Sequence, residues 1–188
     1  MAKIVFIGRS NVGKSSTIKT LTGKNLKIGR RPGVTLKPQE IRWGENTIVD
    51  MPGFGFMSGV YEEKREAIKD SIIKYLEDEK DISFAVQIID TKAFLEIKKR
   101  WEKRGQIPVE IELYNFLNEL ELKPILVANK IDKIRKDKRD ETLDKICESL
   151  DMLPPWRQWM DIIVPFSAKT GEGMQELKRL IRKKIETE

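Results

Sequence analysis

Gly8-Arg9-Ser10-Asn11-Val12-Gly13-Lys14-Ser15 spells G-x-x-x-x-G-K-[ST], and the residues on either side decide how it folds. Ile4-Val5-Phe6-Ile7 in front of it is a short apolar, β-branched run that predicts a buried strand. Ser16-Thr17-Ile18-Lys19-Thr20-Leu21 behind it is compatible with a helix. A strand feeding a glycine loop feeding a helix directs a row of backbone N–H groups and a helix N-terminus at one spot, which suits a polyphosphate. The glycines let the backbone close in on the anion. Lys14 is spaced to reach the β- and γ-phosphates, and Ser15 offers a hydroxyl to Mg²⁺. A glycine turn with an incidental lysine is the bland alternative, and the strand in front of the motif argues against it.

Outward from this loop, apolar runs alternate with amphipathic stretches. Residues 23–38 read as a polar loop punctuated by Gly and Pro. Strands are expected over Glu40–Trp43 and Asn46–Val49, joined as a hairpin at Gly44-Glu45. A Gly/Met/Phe loop spans 51–60, followed by a charged helix over Tyr61–Glu79 and a buried strand over Ser83–Ile89. Two helical pieces, Phe94–Trp101 and Val109–Leu122, are broken by Gly105 and Pro108. A buried strand over Pro124–Ala128, a helix over Arg139–Leu150, a strand over Ile162–Pro165 and a helix over Met174–Glu186 complete the chain. The pattern predicts an α/β fold: a mostly parallel six-stranded sheet with one antiparallel edge strand, helices on both faces, and ligands outside the carboxyl ends of the strands.

Two apolar strands end in aspartate, and either could hold Mg²⁺. Asp50 is followed by Met51-Pro52-Gly53, giving D-x-x-G, whose glycine N–H can meet a γ-phosphate. Asp90 is followed by Thr91-Lys92 without a glycine, and is expected to pack or orient the insert that follows it. Asp50 is therefore the Mg²⁺ candidate. Base identity comes from Asn129-Lys130-Ile131-Asp132, an N-K-x-D box at the end of a buried strand. Its carboxylate can accept from the N1–H and exocyclic amine of guanine, a pair adenine lacks, and an unpaired buried carboxylate is costly. Lys130 is expected to lay its stem over the base and tie back to the phosphate loop. Ser167-Ala168-Lys169 offers backbone donors toward the guanine oxygen; it is weak alone and confirmatory in series. Asp132 and the lack of an obvious acceptor-binding lid argue against an ATPase or a nucleotide kinase.

Composition narrows the chemistry. The 188 residues, 39% apolar and 35% charged, suit one domain with a full core and contain no membrane-length apolar run. The first strand begins almost at the N-terminus, so no leader or lipid anchor is expected, and the expected location is cytoplasmic. The single cysteine, Cys147, lies in the helical pattern Leu143, Ile146, Cys147, Leu150 and reads as a core residue. The sequence has no histidine, so any catalysis falls to lysine, hydroxyls, carboxylates, backbone amides and a metal.

With all five boxes in order, the sequence resembles the small GTPases of the translation-factor-like class. Gly8–Ser15 is the first, Thr35 the second, Asp50–Gly53 the third, Asn129–Asp132 the fourth and Ser167–Lys169 the fifth. More narrowly, G-R-S-N-V-G-K-S-S, R-P-G-x-T and D-x-P-G-F-G are similar to the EngB (YihA/YsxC) family, which is associated with assembly of the large ribosomal subunit. The chain departs from the bacterial pattern at Phe94–Val109, which is longer and more basic, and at the N-K-I-D and S-A-K-T boxes, which are closer to the general GTPase form. The resemblance implies one GTP-binding domain over residues 1–188, monomeric, with GTP/GDP and Mg²⁺ as ligands and a large ribosomal subunit, its precursor or their RNA as partner. It implies nucleotide contacts from Gly8, Arg9, Ser10, Asn11, Val12, Gly13, Lys14, Ser15 and Ser16, from Arg31, Gly33 and Thr35, and from Asp50 and Gly53. On the base side it implies Asn129, Lys130, Asp132, Ser167, Ala168 and Lys169. Ser15, Thr35 and Asp50 would organise the metal, and Lys14, Thr35 and Gly53 would act in hydrolysis.

The residue after D-x-x-G is often a water-orienting glutamine; here it is Phe54, which cannot polarise water. Slow intrinsic hydrolysis, accelerated by a partner, is the expectation, and a nucleotide-gated binding module with negligible turnover is its competitor. Asn11 either completes a monovalent-cation (K⁺) site or makes a loop hydrogen bond. Loop 51–60, with Phe54, Phe56 and Met57, either presents apolar surface or packs on the next helix. The charge of +6 favours polyanionic partners, with clusters at Lys24/Lys27/Arg30/Arg31, Lys98/Lys99/Arg100/Lys103/Arg104 and Lys178/Arg179/Arg182/Lys183/Lys184. These clusters read either as solvated faces, the usual outcome for such charged helices, or, as the resemblance implies, as RNA contacts. Trp156 and Trp159 beside Arg157 are expected to pack the edge of the last strand rather than stack on bases.

Overall fold

Strands that are apolar on both faces form the centre of a six-stranded sheet in the order β2-β3-β1-β4-β5-β6. A computed structural model describes residues 1–24, 38–54 and 62–187, with the backbone alone for 62–65. The elements are β1 (Lys3–Gly8), α1 (Lys14–Thr22), β2 (Gln39–Trp43), β3 (Asn46–Asp50), α2 (Glu62–Asp78) and β4 (Ile82–Asp90), then α3 (Thr91–Glu102), α4 (Val109–Glu119), β5 (Ile125–Asn129), α5 (Arg139–Ser149), β6 (Ile163–Pro165) and α6 (Met174–Thr187). β1 runs parallel to β3 and β4, β4 to β5, and β5 to β6, whereas β2 is antiparallel to β3. The expected mixed sheet, with its single antiparallel edge strand, is the one observed.

Alternation along each strand fills both faces. Ile4, Phe6, Ile48, Phe84, Val86, Val127 and Val164 point to one side, where they pack with Ile18 and Leu21 of α1 and Leu177 and Ile181 of α6. Val5, Ile7, Val49 and Ala85 point to the other, against Ile68, Ile72 and Leu76 of α2 and Leu113 and Leu117 of α4. Further along that face, Leu126, Ala128 and Ile163 meet Phe94 of α3 and Leu143, Ile146 and Cys147 of α5. Each fully buried Ile or Phe contributes about 1.5–3 kcal/mol relative to exposure. Cys147 is a core residue, and burial pushes its thiol up to about 11. Trp156 packs in this last cluster beside Ile163, with its indole N–H on Asp140 Oδ1 at 2.8 Å and its backbone N–H on Asp144 Oδ1 at 2.7 Å. The packing role expected of it is the one seen.

The register brings chemistry to one edge. Phe6 pairs with Asp50, Gly8 with Ile88, and Asp90 with Asn129. Gly8, Asp50, Asp90 and Asn129 thus lie together at the carboxyl ends of neighbouring strands. The chain passes from β1 to β3 on one side and returns to β4 on the other, so the loop after β1 sits at the switch point of the sheet.

Differences from the expected elements are local. α3 begins at Thr91 rather than Phe94, because Asp90 caps it: its side chain accepts from the N–H groups of Lys92 and Ala93. α4 stops at Glu119 rather than Leu122, and the chain turns through Glu121 and Lys123, both with positive φ. Gly44, with φ +61°, turns the expected hairpin.

Candidate functional site

The loop from Gly8 to Lys14 leaves β1 at its carboxyl end and enters α1 through Gly13, whose φ of +96° few residues but glycine adopt. Space makes the same demand: a Cβ at Gly13 would lie 2.3 Å from Asn129 Nδ2, and one at Gly8 2.4 Å from the Ile88 carbonyl oxygen. α1 has no side-chain cap, so its first-turn N–H groups are directed toward the loop.

Lys14 and Asp50 are buried and paired, Nζ on Oδ1, while the Ser15 hydroxyl donates to Asp50 Oδ2 at 3.0 Å. The first and third boxes are also joined along their backbones. The Ser10 N–H donates to the Phe54 carbonyl at 3.0 Å, and a Cβ on Gly53 would come within 2.9 Å of Ser10 Oγ. Phe54 is buried among Ile68, Ile72 and Leu113, so of the two readings of its ring, packing on the following helix is the one observed. Phe56 and Met57 lie outside the described residues, as do Lys27, Arg30, Arg31, Gly33 and Thr35.

The fourth box is hydrogen-bonded to the first. Asn129 Nδ2 donates to the Val12 carbonyl at 2.7 Å, and Lys130 Nζ donates to the Asn11 carbonyl at 2.7 Å. The fifth box closes on the fourth: the Ser167 hydroxyl donates to Asp132 Oδ1 at 2.6 Å and the Ala168 N–H to Asn129 Oδ1 at 3.1 Å. Gly13, Ser16, Asn129, Lys130, Asp132, Lys133, Ala168 and Lys169 line one open cleft. Of the expected base-side donors, the Ala168 N–H is directed to Asn129.

Three features were not anticipated. Arg9, expected at the nucleotide, turns its guanidinium to the buried carboxylate of Glu110, Nη1 to Oε1 at 3.1 Å, which leaves its backbone for the loop. Gln87 Nε2 donates to the Glu110 carbonyl at 2.7 Å, anchoring the first turn of α4 to the middle of the sheet. Asp90 orients the following insert, as expected of it, by capping α3, but it also accepts from Lys130 Nζ at 2.5 Å. The strand-end Asp-Thr before an apolar helix carried a capping signal; the Arg9–Glu110 pair, 101 residues apart, carried none.

A phosphate loop between β1 and α1 and an N-K-x-D box after β5, on a mixed sheet of this order, define a P-loop GTPase. A family described as 50S ribosome-binding GTPase matches residues 3–130. The chain belongs to the EngB family of GTP-binding proteins. It is 50% identical to a probable GTP-binding protein EngB of Methanopyrus kandleri over 98% of this chain and 93% of that one. With its counterpart in Pyrococcus horikoshii it shares 47% identity over 96% of this chain and 82% of the other. A crystal structure of a probable GTP-binding protein engB superimposes over the whole of both chains with a TM-score of 0.90 and 46% identity. A variant of Era from Aquifex aeolicus bound to GDP.AlF4- matches over 96% of this chain and 56% of that one, with a TM-score of 0.66 and 26% identity. Among the described residues, no helix is long and apolar enough to cross a membrane.

Proposed function

We propose that this chain is one GTP-binding domain, acting as a monomer in the cytoplasm. It binds GTP and GDP with Mg²⁺, hydrolyses GTP slowly and switches conformation to assist assembly of the large ribosomal subunit. The observation that carries the nucleotide reading is the bonding of Asn129 and Lys130 to the carbonyls of Val12 and Asn11. It fixes a base-recognition box against a phosphate loop, with Asp132 farther along the same cleft.

In this reading the loop amides from Gly8 to Ser16 and the Lys14 ammonium hold the phosphates and offset charge as it develops on them. Asp132 accepts from the guanine edge, Lys130 covers the base, and Ser167, Ala168 and Lys169 close the pocket. Ser15 and Asp50, with oxygens 3.0 Å apart, form a hard donor pair suited to Mg²⁺, and Thr35 would join them. Bound there, the metal would neutralise phosphate charge during transfer. The Gly53 N–H would meet the γ-phosphate, and Arg31 and Gly33 would flank Thr35. Because the ring of Phe54 is buried against α2 and α4, intrinsic turnover is expected to be slow and raised by a partner. Asn11, exposed at φ +67°, would complete a K⁺ site; equal hydrolysis rates in K⁺ and Na⁺ would rule that out.

The family match and the net charge of +6 support a ribosomal partner. The test is GTP hydrolysis by the purified chain, alone and with large ribosomal subunits, together with co-sedimentation in GTP and GDP. GTP-dependent binding with faster turnover on the particle is expected. Unchanged turnover without nucleotide-dependent binding would remove the ribosome as partner. The buried Phe54 ring also favours a second reading, a guanine-nucleotide-gated binding module with negligible turnover. GTP-dependent binding with no turnover on the particle would select it.

A further inference from the structure

Lys130 sits in the guanine box with a φ of +62°, a conformation that side-chain-bearing residues rarely adopt, and two neighbours outside the box hold that segment. Asp90 and Thr91 end β4 and begin α3, directly across from Asn129 in the parallel register. The Thr91 hydroxyl, fully buried, donates to the Asn129 carbonyl at 2.7 Å. Asp90 divides its carboxylate. Oδ1 accepts the Lys92 and Ala93 N–H groups at 3.1 Å each, while Oδ2 accepts Lys130 Nζ at 2.5 Å. The same Nζ reaches the Asn11 carbonyl, so one ammonium joins the α3 cap, the guanine box and the phosphate loop.

We propose that Asp90 and Thr91 are positioning residues for guanine-nucleotide binding, fixing Asn129 and Lys130 in the arrangement that receives the base. The inference rests on the reading of this cleft as a guanine-nucleotide site. A lysine ammonium held at two points keeps its stem extended along one line, ready to cover a ring. Released from Asp90, it keeps one backbone acceptor and regains rotamer freedom that nucleotide binding must then remove. The charge-assisted bond is stronger than a neutral one and is only partly exposed, with Lys130 and Asp90 side chains 25% and 17% accessible. Thr91 acts through the other residue: without its hydroxyl the buried Asn129 carbonyl loses a hydrogen-bond donor, and the backbone that aims the Asn129 amide is less constrained.

Capping and positioning can be separated by substitution. Serine caps a helix about as well as aspartate but is too short to reach Lys130. Asp90→Ser is therefore expected to keep the melting temperature within a few degrees of the parent. It is expected to raise the Kd for GDP, and the KM for GTP, by about tenfold, with kcat falling far less. Asp90→Asn, which keeps an acceptor oxygen without the charge, should fall between the two, and Thr91→Val should weaken GDP by about threefold to tenfold. In a double-mutant cycle, Asp90→Ser added to Lys130→Met should cost nothing further.

The experiment is titration of fluorescent GDP against the parent chain, these variants and the double mutant, with ADP as competitor. Parent-like GDP binding by Asp90→Ser, or a full additional loss in the double mutant, would overturn the proposal while leaving the guanine site standing. A parent chain that does not prefer GDP to ADP would overturn both.

Discussion

The two ends of the proposed nucleotide cleft are built differently. At the base end, Asn129, Lys130, Asp132, Ser167 and Ala168 are bonded to one another and to the phosphate-loop backbone, and the same contacts can persist around a ligand. At the phosphate end, the groups suited to ligands are bonded to each other: Lys14, suited to an anion, pairs with Asp50, suited to a cation, and Ser15 donates to the same carboxylate. The first arrangement is preorganised, which favours selectivity. The second would have to exchange partners before it could act, so binding of phosphate and metal there, as proposed, would be a conformational event from the start. In the proposed function, base recognition would therefore fall to the bonded strand ends, and the nucleotide-sensitive change to the groups around Asp50.

The contrast can be broken from either end. Lys14→Met removes the cation proposed to serve the phosphates and leaves Asp50 without its buried partner; GTP turnover should fall by about 10²–10³-fold, read in a single-turnover assay. Asp132→Asn should cost about a hundredfold in GDP affinity and shift preference toward xanthosine diphosphate, whose C2 oxygen can accept from the new amide, as competition binding would show. Gly13→Ala strikes the seam between the ends. Its Cβ would meet the Asn129 amide at 2.3 Å, at a φ of +96°, with strain of about 1–3 kcal/mol, and GDP affinity should fall by about tenfold by calorimetry.

The smallest effect lies away from the cleft. Hydrogen bonds from Lys145 and then Lys138 lower the Glu141 carboxyl from its usual 4.5 to about 2. A carboxyl lowered on folding stabilises the fold above its unfolded value, and the contribution is lost as pH falls through the folded one. The melting-temperature gap between the parent and Glu141→Gln should therefore be present above pH 4.5 and close as pH falls toward about 2, with GDP affinity unchanged at neutral pH.

Much of this was legible in the sequence because its signals are local. Ile4–Ile7, Phe84–Ile89 and Leu126–Ala128 declare buried parallel strands by composition, and the loop and box motifs fall at their carboxyl ends because that is where such a sheet opens. Apolar periodicity begins at Phe94, so α3 was expected there; its true start is set by the Asp90 carboxylate, a polar signal that periodicity does not carry. The Lys14–Asp50 pair and the Arg9–Glu110 pair join residues brought together only by strand order, and no spacing rule announces them. Arg9 shows the consequence: a cation in a phosphate loop reads as an anion ligand, yet here it serves a buried carboxylate on α4.

The most direct test of the account is competition binding of GDP, IDP, ADP and xanthosine diphosphate to the parent chain in Mg²⁺. If Asp132 and the bonded box around it select the base, GDP should bind at least about a hundredfold tighter than ADP, with IDP, which lacks the exocyclic amine, in between. Equal affinity for GDP and ADP would contradict it.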